Sequence, residues 1–225
     1  MATGASKDEH ELRSYGRRRG RKPSEQQAAL LRDVLPRIAF DAARVDQGAV
    51  VTWLEIGFGG GEHLLWQARR HPEVHLIGCE PYEDGVIKVL DGVQSDGLKN
   101  VGIHMGDARD VLRGLAPASL DRAFILFPDP WPKRKHRKRR LVNPSLLDLL
   151  AIAAKPGAEL RIATDIGDYA RTILEAFARE PRWFVWQAES PADWRIRPSD
   201  WPATRYEAKA AAAGRRCYYF RFLRI

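Results

Sequence analysis

From residue 50 to residue 180 the chain alternates short apolar runs with stretches of helical periodicity. The runs at 50–55, 74–79, 101–104, 120–127 and 158–163 are rich in Val, Ile, Leu and Ala, and apolar along their length rather than at every second position. Strands of that kind are covered on both faces, as in a parallel sheet. The segments 62–70, 83–95, 107–115, 143–155 and 168–178 read as the helices between them. Strand–helix–strand repetition within one sheet calls for right-handed crossovers and helices on both faces. The predicted class is α/β, Rossmann-like, and 225 residues suit one such domain.

The flanks differ from this middle. Residues 1–22 are polar and read as a flexible arm, basic in its second half through Arg13, Arg17, Arg18, Arg19, Arg21 and Lys22. The domain is expected over 23–225. A helix is predicted over 24–40, with Ser24 and Gln27 placed as a capping box and Leu30, Leu31, Val34, Leu35 and Ile38 on one face. Pro36 should kink it or end it early. Beyond residue 180, runs at 184–188 and 217–223 read as strands, joined by a Trp-, Pro- and Arg-rich loop over 189–215. A connection that long in a compact domain marks function.

A net charge of +8 calls for a polyanionic partner such as nucleic acid, a membrane surface or a phosphorylated ligand. The two cysteines, Cys79 and Cys217, form no C-x-x-C pair, so neither a metal knuckle nor a redox dithiol is expected. Both read as buried free thiols, which suits a reducing cytoplasm. No run is long and apolar enough for a membrane span, and residues 1–22 have no signal-peptide core.

The first strand ends in Glu55-Ile56-Gly57-Phe58-Gly59-Gly60-Gly61-Glu62. A phosphate-binding P-loop would need Lys-Ser/Thr after its last glycine, and none follows. A dinucleotide fingerprint would place a small residue at position 62, where Glu62 would instead repel a pyrophosphate. The remaining pattern, an acid followed by Gly57, Gly59 and Gly61, suits a ligand with no phosphate at this point. S-adenosylmethionine is such a ligand. Glu80 ends the second strand, where an acid can accept hydrogen bonds from ribose hydroxyls. Asp107, with Ala108, follows the third and can reach an adenine amino group. All three acids fall at carboxyl ends of neighbouring strands, the edge at which open α/β sheets bind ligands.

The fourth strand runs into Phe127-Pro128-Asp129-Pro130-Trp131-Pro132. Prolines on both sides of Asp129 fix the chain and present its carboxylate rigidly. Trp131 offers a flat face for a base. Lys133-Arg134-Lys135-His136-Arg137-Lys138-Arg139-Arg140 follows, cationic at every position but the histidine. Solvated charge faces usually mix signs, so phosphate-backbone capture is the better reading of this run.

With these residues in view, the sequence resembles the bacterial tRNA (guanine-N7-)-methyltransferase family. The resemblance covers nearly the whole chain from Arg13 and rests on Glu55–Gly59, Glu80, Gly106-Asp107-Ala108, Phe127–Arg140, Ala163-Thr164-Asp165 and Thr204-Arg205-Tyr206-Glu207. It implies a class I methyltransferase fold, a seven-stranded sheet with an antiparallel last strand. It also implies methyl transfer from S-adenosylmethionine to N7 of a variable-loop guanine in tRNA, the m7G46 position. By position it implies that Glu55, Gly57, Gly59, Gly61, Glu80, Asp107, Ala108 and Asp129 bind the cofactor, with Asp129 also the catalytic residue. Lys133, Asp165, Thr204, Arg205, Tyr206 and Glu207 would bind the target nucleotide, with Asp165 and Glu207 expected at the guanine N1 and N2 donors. Lys135, His136, Arg137, Lys138, Arg139 and Arg140 would contact RNA. A monomer or homodimer without metal is expected. Two other readings stay open on the sequence: a methyltransferase for another RNA or a protein, and a non-catalytic RNA-binding protein on the same fold.

Overall fold

The computed structural model describes Gly16, residues 18–45 and residues 50–225. Five strands run parallel: β1 (Thr52–Ile56), β2 (His75–Cys79), β3 (Val101–His104), β4 (Leu120–Leu126) and β5 (Ala154–Thr164). Two more close the sheet, β6 (Phe184–Trp186) and β7 (Tyr218–Arg224), with β7 antiparallel to both β5 and β6. The strand order is β3-β2-β1-β4-β5-β7-β6. Chain direction across the sheet therefore reverses between β1 and β4, and ligands of open α/β sheets bind in the crevice at such a switch point.

The strands carry apolar side chains to both faces. In β4, Ala123 and Ile125 join one core cluster while Phe124 and Leu126 join the other. On the first face the sheet packs against α5 (Ala108–Gly114), α6 (Pro144–Ala153) and α7 (Gly167–Arg179) through Leu112, Leu147, Ile173 and Phe177. On the second it packs against α3 (Glu62–Arg70) and α4 (Glu83–Asp96) through Leu64, Ala68, Val86 and Leu90. Each fully buried Val, Leu, Ile or Phe side chain of this kind contributes roughly 1.5–3 kcal/mol.

The predicted first helix forms, with Ser24 and Gln27 closing the capping box, but it is not uniform. α1 (Glu25–Ala29) passes through a π-helical stretch at Leu30–Val34 before α2 (Leu35–Ile38). Pro36 supplies the reason, since it lacks an N–H and its ring crowds the preceding turn. The loop expected over 189–215 is corrected: it contains α8 (Ala192–Arg195) and α9 (Arg205–Ala212). Thr204 caps α9 and Glu207 completes the box, so the helix start was spelled in the sequence, ahead of an Ala-rich run. The basic run is likewise ordered, as a 3-10 helix over Arg134–Arg139. Cys79 is buried as expected, whereas Cys217 is only partly covered.

Arg13 and Arg17 of the arm lie outside the described residues. The end of the arm reaches the sheet edge: Glu83 N–H donates to the Arg18 carbonyl at 3.0 Å. Among the described residues no helix is long and apolar enough to cross a membrane, and no cluster of His, Cys, Asp or Glu has the makeup of a metal site.

Candidate active site and its cationic rim

A cavity of about 370 Å³ opens at the carboxyl edge of the sheet, over β1, β2, β3 and β4. Gly57, Gly59, Glu80, Asp107, Ala108, Asp129, Arg205 and Tyr206 all line it. Residues from four strand ends and from α9, Gly57 and Tyr206 being 149 positions apart, are thus brought to one place.

The glycine turn explains its own composition. Gly57, Gly59 and Gly61 take φ of 74°, 57° and 78°, which side-chain-bearing residues rarely adopt. At Gly57 no atom stands within 4 Å of where a Cβ would lie, so the backbone is open to a ligand. Gly59 N–H donates to Glu80 Oε2 at 2.8 Å, and Tyr82 N–H donates to Glu80 Oε1 at 2.9 Å. Glu80 is therefore locked by two strand-end loops. Burial pushes its carboxyl above the usual range, opposed by those two amides and reinforced by Asp129 and Glu55.

Asp107 caps α5 by accepting from Arg109 N–H at 3.0 Å, and the Arg109 guanidinium pairs with its carboxylate. Burial alone would raise its pKa, but the Arg109 hydrogen bonds and charge outweigh that and hold it low. Asp107 thus meets a ligand as a fixed, ionised acceptor. Arg109 was not among the expected site residues; a guanidinium two positions after a strand-end acid was the available signal.

Asp129 stands differently. Its carboxylate has no hydrogen-bond partner among the described residues, and loss of water at the cavity wall raises its pKa. Two non-glycine residues in the left-handed region frame it, Phe127 at φ 53° and Trp131 at φ 42°. Each such residue costs on the order of 1–3 kcal/mol and persists only where its surroundings hold it. Phe127 N–H is bonded to the Ala163 carbonyl at 2.8 Å, and its ring stacks on Tyr206 at 6.2 Å and 12°. Trp131 is held between His136, edge-on at 5.9 Å, and the Arg139 guanidinium at 5.0 Å. Its indole face is thus partly occupied by its own basic run.

The chain matches the family model "Putative methyltransferase" over residues 49–220. Curated relatives include the tRNA (guanine-N(7)-)-methyltransferases of Roseobacter denitrificans, 50% identical over 76% of this chain and 73% of that one, and of Rhodospirillum rubrum, 43% identical over 97% and 90%. The chain belongs to the tRNA (guanine-N(7)-)-methyltransferase family. Its fold is shared with more distant methyltransferases. A mutant 16S rRNA (adenine(1408)-N(1))-methyltransferase from Catenulisporales acidiphilia aligns with a TM-score of 0.55 at 17% identity, over 83% of this chain and 92% of that one.

Several residues that the family resemblance places in the site are engaged elsewhere in the fold. Arg140, expected at RNA, is only 2% exposed. Its guanidinium donates to the Pro130 carbonyl at 3.0 Å, to Thr172 and to the Asp168 carboxylate, and lies over the Tyr169 ring. In this arrangement it anchors the basic run. Arg137 joins it on Asp168 at 2.6 Å. The side chains of Lys133, Arg134, Lys135 and Lys138 show no ion pair or hydrogen bond among the described residues and are exposed; they form the open part of the rim. His136 is held below its usual pKa by desolvation and by Arg139, Lys135 and Lys133.

Thr204 and Glu207 serve the capping box of α9: Thr204 N–H donates to Glu207 Oε2 at 2.9 Å. The other Glu207 oxygen accepts from Tyr219 OH at 2.6 Å and lies 3.2 Å from Arg197. Only Arg205 and Tyr206 of that segment face the cavity. Asp165 pairs with Arg215 at 2.7 Å, and neither it nor Lys133 lines the cavity. Glu55 lies beneath the turn, 4% exposed and bonded to His63, and Gly61 serves as the N-cap of α3.

Proposed function

We propose that the protein transfers a methyl group from S-adenosylmethionine to N7 of a variable-loop guanine in tRNA. The observation that carries this reading is the meeting of the glycine turn, Glu80, Asp107 and Asp129 in one cavity beside a cationic rim. The shared name of the relatives supplies the nucleobase and the RNA.

The residues present fit the cofactor. The open backbone at Gly57 admits a close ligand, Glu80 accepts from ribose hydroxyls, and Asp107 accepts from an adenine amino group. Glu80 and Asp129 together make the cavity favourable for a ligand with cationic groups. S-adenosylmethionine supplies a methyl group already activated by positively charged sulfur.

What remains for the chain is placement and charge. Guanine N7 keeps a lone pair at neutral pH, so no side chain need remove a proton before attack. Asp129, rigid between its prolines, holds the base through its N–H edge and offsets positive charge as it passes to the ring. Fixed alignment of two reactants is worth several kcal/mol of the barrier, up to roughly 7–11 kcal/mol when the geometry is ideal. Tyr206 and Phe127 wall the cavity against water. Lys133, Lys135 and Lys138 hold the RNA backbone, with little base selectivity.

The test replaces the variable-loop guanine with 7-deazaguanine, which lacks N7. Labelled methyl transfer to ordinary unmodified tRNA and none to the substituted tRNA is expected; equal transfer to both would overturn the reading.

A further inference from the structure

Beneath the glycine turn runs a buried polar chain that neither strand pairing nor the cavity lining accounts for. Glu55, two positions before Gly57, accepts from His63 Nδ1 at 2.7 Å, and the two side chains are 4% and 3% exposed. His63 Nε2 lies 3.0 Å from Gln67 Nε2. An amide nitrogen only donates, so Nε2 of the ring accepts and the ring proton sits on Nδ1, toward Glu55. Gln67 Nε2 also donates to the Asp200 carbonyl at 3.1 Å. Gln67 is fully buried, and its Oε1 has no partner among the described residues. An apolar side chain would fill this space without orphaning an oxygen, so the polar chain asks for a reason other than packing.

Its two ends supply one. Glu55 leads into the glycine turn. Asp200 and the buried Trp201 lead into Thr204, the cap of α9, whose first residues Arg205 and Tyr206 form the opposite wall of the cavity. Trp201 packs edge-on against His63 at 5.9 Å. The start of α3 also touches that wall directly, with Glu62 Oε1 3.2 Å from Arg205 Nε. Two turns of one helix thus join the floor of the cavity to its far wall, with Gln67 and Asp200 133 positions apart in sequence.

We propose that His63 and Gln67 are positioning residues that tie the cofactor turn to the 200–206 segment, so that a ligand held by the turn also orders the wall bearing Arg205 and Tyr206. The inference rests on the cofactor reading above. Hydrogen bonds in a water-free interior hold their geometry firmly, and a linkage of this kind must act in both directions.

Hydrogen exchange with and without saturating S-adenosylhomocysteine tests it on the intact protein, without tRNA. In the wild type, amides of 57–62 and of 203–208 should both slow, the second group by about tenfold, within the usual range of coupling between sites. Gln67→Met keeps the volume and removes both donated bonds. In this variant the slowing at 57–62 should persist while that at 203–208 falls to no more than about a third of the wild-type effect, again read as a coupling factor. If Gln67→Met fails to fold, His63→Asn replaces it: the shorter amide can still donate toward Glu55 but no longer reaches Gln67, and the same split is expected. Undiminished slowing at 203–208 in the folded variant, or no slowing there in the wild type, would overturn the inference. So would equal loss at both segments, which marks a generally loosened fold. Absence of any binding in the wild type would remove the cofactor reading and this inference together.

Discussion

The two halves of the sheet meet the cavity with different materials. On the β1–β3 side the lining is backbone and acid: positive-φ glycines, Glu80 locked by two amides, Asp107 locked by Arg109. On the β4–β7 side it is prolines, rings and cations, much of it bound internally before any ligand arrives. The acids of the first half are fixed by neighbouring amides and a guanidinium. The second divides its charges between anchors, Arg137 and Arg140 on Asp168, and an open set, Lys133, Lys135 and Lys138. A cluster of like charges is therefore not one structural unit: some members are paired within the fold while others stay open to solvent.

Asp129 sits on the seam between the halves, and its replacement should give the largest effect. Asp129→Ala is expected to lower methyl transfer by about 10²–10³-fold, the scale of losing one preorganised electrostatic group. Its tRNA affinity, measured by filter binding, should stay near wild type. Equal loss of binding and transfer would show that the seam does not separate chemistry from affinity.

Arg140→Ala sharpens the division within the rim. Removing its bonds to Asp168, Thr172 and Pro130 should destabilise the fold by about 2–3 kcal/mol, the range for hydrogen bonds to a charged group. Thermal melting should register that as a Tm lower by about 5–10 °C. An unchanged Tm with weakened RNA binding would return Arg140 to the phosphate-contacting set.

Acidification separates the same two carboxylates. The Asp129 carboxyl is raised by burial, so its ionised form, and with it the single-turnover rate, should fall at a higher pH than an ordinary aspartate would give. Asp168 is depressed, chiefly by its hydrogen bond to Arg140. Its stabilising contribution is present above the unfolded pKa and is lost as pH falls through the depressed value. A rate profile flat down to the usual aspartate range would remove Asp129 from the rate-determining chemistry.

The smallest effect is expected in the open rim. Lys135→Ala with Lys138→Ala should leave Tm unchanged and flatten the salt dependence of tRNA binding by about one unit of slope per lysine. A slope equal to wild type would show that the rim points away from the RNA.

Much of this architecture was legible in the residues. Strand ends in a parallel sheet must fall at one edge, so Gly57, Gly59, Glu80, Asp107 and Asp129 were assigned to the edge from periodicity alone, and all five line the cavity. Topology does that work, because each of these residues directly follows or ends a strand. The rest depended on tertiary partners that spacing does not reveal. Nothing local distinguishes Arg140 from Lys138; Asp168 and Tyr169, some 28 residues on, do. Thr204 and Glu207 carried two compatible meanings, ligand contact and capping box, and the Ala-rich stretch behind them was the cue for the helix. The bond from His63 to Glu55 joins residues eight positions apart across a turn whose shape only the folded chain supplies.

The most direct test of the account is to map the product. Unmodified tRNA is incubated with the protein and S-adenosylmethionine, then cleaved chemically at N7-methylguanine. A single cleavage in the variable loop, formed far more slowly with Asp129→Ala, is the predicted result. Cleavage elsewhere, or none with the wild-type protein, would contradict it.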